Sequence, residues 1–355
     1  MTTTIQTSAA QSASTSPLEF PFPESPADGE VLEVAPGILW LRLPLPFRLD
    51  HVNVYLLEDD DGWVVFDTGI SSDQCRLAWE KVLSGPLAGK RVSKVIVSHY
   101  HPDHIGLAGW LCERVDAPLL TGQVSYLSTT NISLSPGALE AKPYRDFYLK
   151  NGTTTETADI VSTSGHGYLR MVSPLPPTFV RLVPGDVMTI AGRRFKVLVG
   201  EGHAPEQLML YCADENLFLA ADQVLEKITP NVGVWAVEPH GDPLGLFLRS
   251  LNYLTRQVSD EALVLAGHRR PFKGLHERCR QIIEHHHERC ALIAGAVASG
   301  PKTVSDLVPV LFTRQLDPHQ LSFAFSETMA HVNYMVRRGQ LIWERGSQVH
   351  RVTGA

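Results

Sequence analysis

The chain has 355 residues, enough for two domains at roughly 150 residues each, and 44% of them are hydrophobic against 19% charged, which excludes a globally disordered protein. Thirty-one Lys and Arg face 38 Asp and Glu, a formal net charge of −7, which argues against a mainly electrostatic nucleic-acid binder. No apolar run approaches the ~20 residues needed to span a bilayer. The five cysteines (Cys75, Cys112, Cys212, Cys279, Cys290) are dispersed and never form a CxxC pair. They fit a reduced compartment, and a cytoplasmic location is expected. The fifteen histidines are the informative surplus, because several of them cluster.

Residues 1–30 are rich in Ser, Thr, Ala and Pro, without Lys, Arg or an apolar signal core, and are expected to form a disordered tail. A first domain is expected over 31–275. It opens with β-rich runs at Ile38–Leu43 and Val52–Leu57, a turn at Asp59-Asp60-Asp61-Gly62, and the buried-strand run Trp63–Phe66 ending in Asp67-Thr68-Gly69. Helical spacing follows over Asp73–Leu83, then a further buried strand, Lys94–Val97; this alternation indicates an α/β layered domain. From about 122 to 177 the text turns to Ser, Thr and Gly clusters, the aromatic residues Tyr144, Phe147 and Tyr148, and the loop Ser162–Gly167. This reads as a partly helical insertion, either over the site or a surface excursion.

Strand patterning resumes at Phe195–Val199, Leu208–Tyr211, Leu217–Ala221 and Ala262–Ala266. The rest, 276–355, is helical from His276 to Ala298 and stopped by Gly300-Pro301. A short helix over Val304–Val308 halted by Pro309, a longer one over Pro318–Arg338 and two short strands complete it, suggesting a winged-helix module. Its cations (Lys302, Arg314, Arg337, Arg338, Arg345, Arg351) only slightly outnumber Asp306, Asp317, Glu327 and Glu344, with no dense basic stripe. Apolar residues such as Leu321, Phe323, Phe325, Met329, Val332 and Met335 instead favour packing onto the first domain or a second subunit, so a homodimer is a possible assembly. The run His285-His286-His287 is read as a solvated helix face.

The chemistry sits in Ser98-His99-Tyr100-His101-Pro102-Asp103-His104-Ile105-Gly106, directly after the strand ending at Val97. In extended backbone His99 and His101 point to the same side. Pro102 then changes the direction, so Asp103 and His104 address a second point. Imidazole and carboxylate suit Zn²⁺ and related ions. One loop cannot complete two coordination spheres, and further ligand types follow other apolar runs: His203 after 195–199, Asp222 after 217–221, and His268 after 262–266. Strand ends are where an α/β sheet places functional residues. Arg269 and Arg270, next to His268, are read either as receiving a substrate anion or as a structural pair.

His-x-His-x-Asp-His followed by spaced His, Asp and His resembles the metallo-β-lactamase-fold superfamily, over about Pro44–Pro271 and including Asn53-Val54-Tyr55 and Phe66-Asp67-Thr68-Gly69. The resemblance implies an αββα sandwich with a C-terminal helical, winged-helix domain as in some members. It implies one metal held by His99, His101 and His203, a second by Asp103, His104 and His268, and Asp222 bridging them, with Asp67 orienting ligands. Two divalent ions follow, zinc by default, with iron or manganese as alternatives. A metal-bound hydroxide would then attack the carbonyl of a small-molecule ester, lactone or thioester, Asp103 also accepting or relaying the proton. The alternative is an endoribonuclease whose winged helix holds RNA. Two positions depart from the pattern: Gln207 stands where relatives often carry a second histidine, and Ala221 where they often carry glycine.

Overall fold

The computed structural model describes residues 18–137, 141–162, 165–346 and 348–355. Seven strands form the first sheet in chain order: β1 (Val31–Ala35), β2 (Ile38–Pro44), β3 (His51–Asp59), β4 (Gly62–Phe66), β5 (Val92–Val97), β6 (Leu119–Thr121) and β7 (Val180–Arg181). The first four run antiparallel, because tight turns such as Asp60-Asp61 can join them. From β4 onward neighbours are parallel. Parallel neighbours need a crossover, and α1 (Asp73–Ser84), capped by the Ser72 side chain on the Cys75 amide, supplies the first. The second sheet has the order β12-β11-β10-β9-β8, from β8 (Val187–Ile190), β9 (Arg193–Gly200), β10 (Gln207–Cys212), β11 (Leu217–Ala221) and β12 (Leu263–Ala266).

Alternation along β3 decides the layers. Val52, Val54 and Leu56 face Trp79 and Val82 of α1 and Leu111 of α3 (Ala108–Val115). Tyr55 and Leu57 face the other way, onto Phe195, Val197, Leu210 and Leu219 of the second sheet. The far side of that sheet, with Leu198, Met209, Phe218 and Val264, packs on Phe247, Leu251 and Leu254 of α8 (Pro243–Gln257). Strands buried on both faces become near-continuous apolar runs, which is why β3, β10 and β11 read that way. The product is helix, sheet, sheet, helix, as expected.

The C-terminal region comprises α9 (Leu275–Val297), α10 (Val304–Leu311), α11 (Pro318–Arg337) and a ribbon of β13 (Leu341–Arg345) with β14 (His350–Gly354). Val304, Leu307, Phe325, Met329, Val332, Leu341 and Val352 continue the same core as α8, so this region packs onto the first domain. Pro309 does not halt α10: it lies inside the helix, which runs to Leu311. In so short a helix its missing N–H forfeits a single backbone bond. Among the described residues no helix is long and apolar enough to cross a membrane.

Two further expectations change, for the tail and for His286. Residues 1–17 lie outside the described residues, but 18–30 are held in place. Glu19 pairs through its backbone with Lys273, Phe20 lies under Arg270 at 4.6 Å, and Asp28 meets Arg42 at 3.2 Å. His286 is fully buried, its Nδ1 3.1 Å from His331 Nε2, because three consecutive helical residues face different directions and this one faces α11. The insertion forms α4 (Gln123–Leu134), α5 (Lys142–Lys150), α6 (Thr155–Ser162) and α7 (Gly165–Arg170). The Thr163-Ser164 part of the expected loop lies outside the described residues. Phe147 and Tyr148 are buried and pack on Phe325 of α11, with ring centroids 5.9 and 5.3 Å away.

Candidate metal centre

The strand ends bring all seven predicted residues together. The loop after β5 carries His99 and His101, and Pro102 opens a single-turn helix, α2 (Pro102–Ile105), that carries Asp103 and His104. Gly106 ends it where a side chain has no room: a Cβ there would lie 2.3–2.8 Å from the carbonyl oxygens of Pro102, Met171 and Gly69. His203 follows β9, Asp222 follows β11, and His268 follows β12.

Donor atoms converge in three overlapping groups, each within 4.8 Å: His99, His101 and His203; His99, His104 and Asp222; and Asp103, His104 and His268. His99 Nε2 lies 3.0 Å from His101 Nδ1. Asp222 stands between the two sides, its Oδ2 3.6 Å from His203 Nε2 and 3.1 Å from His268 Nε2, its Oδ1 3.4 Å from His104 Nε2. Asp103 Oδ2 approaches His268 Nε2 at 3.3 Å.

Four imidazoles are oriented from behind. His99 Nδ1–H donates to Ser98 Oγ at 2.9 Å, and that hydroxyl donates to Asp67 Oδ2 at 2.9 Å. His104 donates to Asp67 Oδ2 at 2.8 Å, His203 to the Asn231 carbonyl at 2.8 Å, and His268 to the His51 carbonyl at 2.8 Å. Each thus turns its Nε2 edge inward, the arrangement that ligating histidines adopt. His104 Nε2, His203 Nε2 and Asp222 Oδ1 are buried and make no hydrogen bond. Buried polar atoms without partners are costly, and a cation among them would satisfy all three, so the residues present fit a metal ion.

Electrostatics sharpen the fit. Burial drives the imidazoles of His99 well below the usual range, His101 to about 3 and His203 downward, leaving lone pairs free at neutral pH. Burial also opposes charge on His268 and His104, but carboxylates win there. Asp222 with Asp103 raises His268 to about 10, and Asp222, Asp67 and Asp103 hold His104 well above its ordinary value. A cation on the Asp103, His104 and His268 side must therefore displace protons. Its affinity is expected to tighten with pH from 6 to 9, by about tenfold per unit for each proton displaced, whereas the His99, His101 and His203 side stays nearly flat. Calorimetric metal titrations in buffers of different ionisation enthalpy count those protons; equal pH slopes at both sides would contradict the assignment.

The description "Metallo-beta-lactamase superfamily" matches residues 47–268, which is more than half of the chain. The chain belongs to the metallo-beta-lactamase superfamily. Residues 290–353 match that superfamily's "Metallo-beta-lactamase-like, C-terminal domain". A beta-lactamase domain protein from Burkholderia ambifaria has a similar solved structure, at 36% identity and a TM-score of 0.88, over 95% of this chain and 98% of that one. Among curated proteins, "Probable metallo-hydrolase YqjP" of Bacillus subtilis is 21% identical over 84% of this chain and 92% of its own. A linear primary-alkylsulfatase of Pseudomonas sp. is 24% identical over 83% of this chain, which spans 56% of that sulfatase's length. With the His/Asp clusters in place, this chain is a metal-dependent hydrolase of the superfamily.

Both departures from the family pattern have a physical counterpart. Ala221 holds φ at +45°, a left-handed conformation in which glycine is free of strain and alanine costs about 1–2 kcal/mol. Gln207 is fully buried in β10, its Nε2 3.4 Å from Gln223 Oε1. Arg270 lies 3.6 Å from Glu226 and over the Phe20 ring. The Arg269 amide donates to His51 Nε2 at 2.9 Å. His51 escaped sequence reasoning, as did the duties of Asn53 and Tyr55. From β3 these two side chains donate to the carbonyls of Ala266 and Arg269, clamping the turn that presents His268. Their same-face spacing in a strand was the available signal; that they face the Ala266–Arg269 turn was not in the text.

Proposed function

We propose that this hydrolase is dinuclear and acts on a small-molecule ester, lactone or thioester. His99, His101 and His203 would hold one ion and Asp103, His104 and His268 the other, with Asp222 shared. Zinc suits this donor set, as do iron and manganese. When bound, such a pair lowers the pKa of water to about 7 and draws electrons from the substrate's oxygen. The chain's own carboxylates divide the remaining work. Asp67, 1% exposed, orients His104 and, through Ser98, His99. Asp103, 20% exposed against 7% for Asp222, is the carboxylate an incoming molecule meets and the one that would accept or relay the proton.

The observation that carries the small-molecule reading is how the insertion is fastened to the ligand loop. Tyr168 donates to the Tyr100 carbonyl at 2.7 Å, and its hydroxyl also meets Thr129 Oγ1 at 2.9 Å. Ser173 bonds the Gly106 carbonyl through both its amide and its hydroxyl. With α7 tied between His99 and His101 and the segment after it tied beyond His104, the insertion lies beside the ligand loop, which favours a compact substrate over a polymer. Three cations of the C-terminal region, which we read as a winged helix, have partners within the chain: Arg337 the His240 carbonyl, Arg338 Asp242 and Arg289 Glu327. That leaves RNA the weaker reading.

The test is a panel with metal-replete protein: lactones, aryl esters and acyl thioesters in one arm, single-stranded RNA in another, and a primary alkyl sulfate in a third, since one relative is named for that substrate. Carbonyl turnover that disappears in Asp222→Ala, with RNA and sulfate left intact, is expected. RNA cleavage with the same dependence would overturn the proposal in favour of a nuclease, and sulfate release would move it to sulfate esters.

A further inference from the structure

We propose that helix α11 of the C-terminal region positions the metal centre, acting through Asn231 on His203; the inference rests on the reading of His203 as a ligand. Asn231 lies in the loop between Asp222 at the end of β11 and the start of α8. Its carbonyl accepts the His203 Nδ1–H at 2.8 Å and so sets the ring that points Nε2 inward. Its side chain is held from the other direction. Nδ2 donates to Glu327 Oε2 at 3.2 Å and to the Phe323 carbonyl at 3.3 Å, both on α11. Glu327 is 7% exposed and fixed in turn by Arg289 of α9 at 2.8 Å.

This clamp is the near end of a longer brace. The Val234 amide donates to the Ser326 carbonyl at 3.0 Å, Asn333 Nδ2 donates to the carbonyls of Pro239 and Gly241, and Arg337 donates to that of His240. Gly233 sits so close to Ser326 that a Cβ would lie 2.6 Å from its hydroxyl. A connecting loop that would otherwise be mobile is thereby tied along its length to one helix, and the ligand-orienting carbonyl inherits that rigidity. Partners behind a ligand fix its ring and tune its affinity.

The same neighbourhood offers a competing reading, since His286, Glu327 and His331 present donors within 4.8 Å of one another. The bonding favours a strut over a cation site. Arg289 and Asn231 already occupy the Glu327 carboxylate, and His331 Nδ1 is spent on the Glu327 carbonyl at 2.8 Å.

Cobalt titration of the metal-free full chain, followed by its visible absorption, tests the proposal, with His203→Ala marking which transition belongs to the His99, His101 and His203 side. Asn231→Ala is expected to weaken that side by about 10- to 100-fold and to leave the Asp103, His104 and His268 side unchanged. Glu327→Gln, which keeps an acceptor oxygen toward Asn231, should weaken it less. Unchanged affinities, or a parallel loss at both sides that tracks the unfolding temperature, would overturn the positioning role. So would a third ion per chain that His286→Ala removes, because Glu327 would then be a ligand. If His203→Ala itself keeps both transitions, the ligand assignment has failed and the proposal falls with it; if only Asn231→Ala does, the brace alone is wrong.

Discussion

Asp222→Asn is expected to abolish hydrolysis and to strip the protein of bound metal while leaving it folded. The substitution keeps the volume and one oxygen but removes the negative charge, and puts an amide where the carboxylate stood within 3.6 Å of His104, His203 and His268. Losing a partner behind a ligand costs about 10- to 100-fold in affinity or activity; losing the group shared by both sides should cost more than the upper end of that range. The charge also supports His104 and His268, whose imidazoles Asp222 helps hold above their ordinary range. Metal content by atomic absorption, turnover on the best substrate of the panel, and the unfolding midpoint decide it. A variant that retains two ions and full rate would remove Asp222 from the centre.

Gly267→Ala is expected to do nearly as much damage with one methyl group. A Cβ at this position would lie 2.3 Å from Asp222 Oδ1 and 2.9 Å from His104 Cε1, closer than packed atoms come. The Gly267 amide is anchored to the Ala221 carbonyl at 2.8 Å and its carbonyl to the Asn53 amide at 2.7 Å, so the strain falls on the carboxylate. Metal affinity should drop by at least about 10-fold, and stability by about 1–3 kcal/mol, the usual cost of overpacking. Cobalt titration with a denaturation curve separates the two effects. Wild-type affinity in this variant would mean that Asp222 can move aside without consequence, which the shared-carboxylate reading does not allow.

Much of the centre was legible because ligand chemistry is written locally. Histidines spaced two apart after a buried strand, and a proline that turns the chain before Asp103 and His104, state their geometry in nine residues. His203, Asp222 and His268 were legible for a related reason: each follows an apolar run, and strand ends of an α/β sheet share one edge. The Asn231 clamp joins His203 after β9, the loop 227–241 and α11, and nothing in that loop announces that the helix will hold its side chain and carbonyls. His286 shows the same limit from the other side. Its neighbours in sequence suggest a wet helix face, and only the approach of His331 makes it a buried residue. Phe147 and Tyr148 were legible only as aromatic residues of an insertion with two open readings, and the docking of α11 placed them in the core.

From sequence alone came the α/β class, the succession of strands from β2 to β5, and the candidate donor side chains. These depend on hydrophobic period, turn chemistry and spacing, all of which act over a few residues. Tertiary structure alone decided which carbonyls orient His203 and His268, why residue 267 must be glycine, and where Arg289, Arg337 and Arg338 find their partners. Most of those features depend on contacts between segments far apart in the chain, such as Asn53 with Arg269 and Asn231 with Glu327. Such contacts exist only once the sheets and helices have packed, because packing sets the distance between groups that the chain itself leaves unrelated.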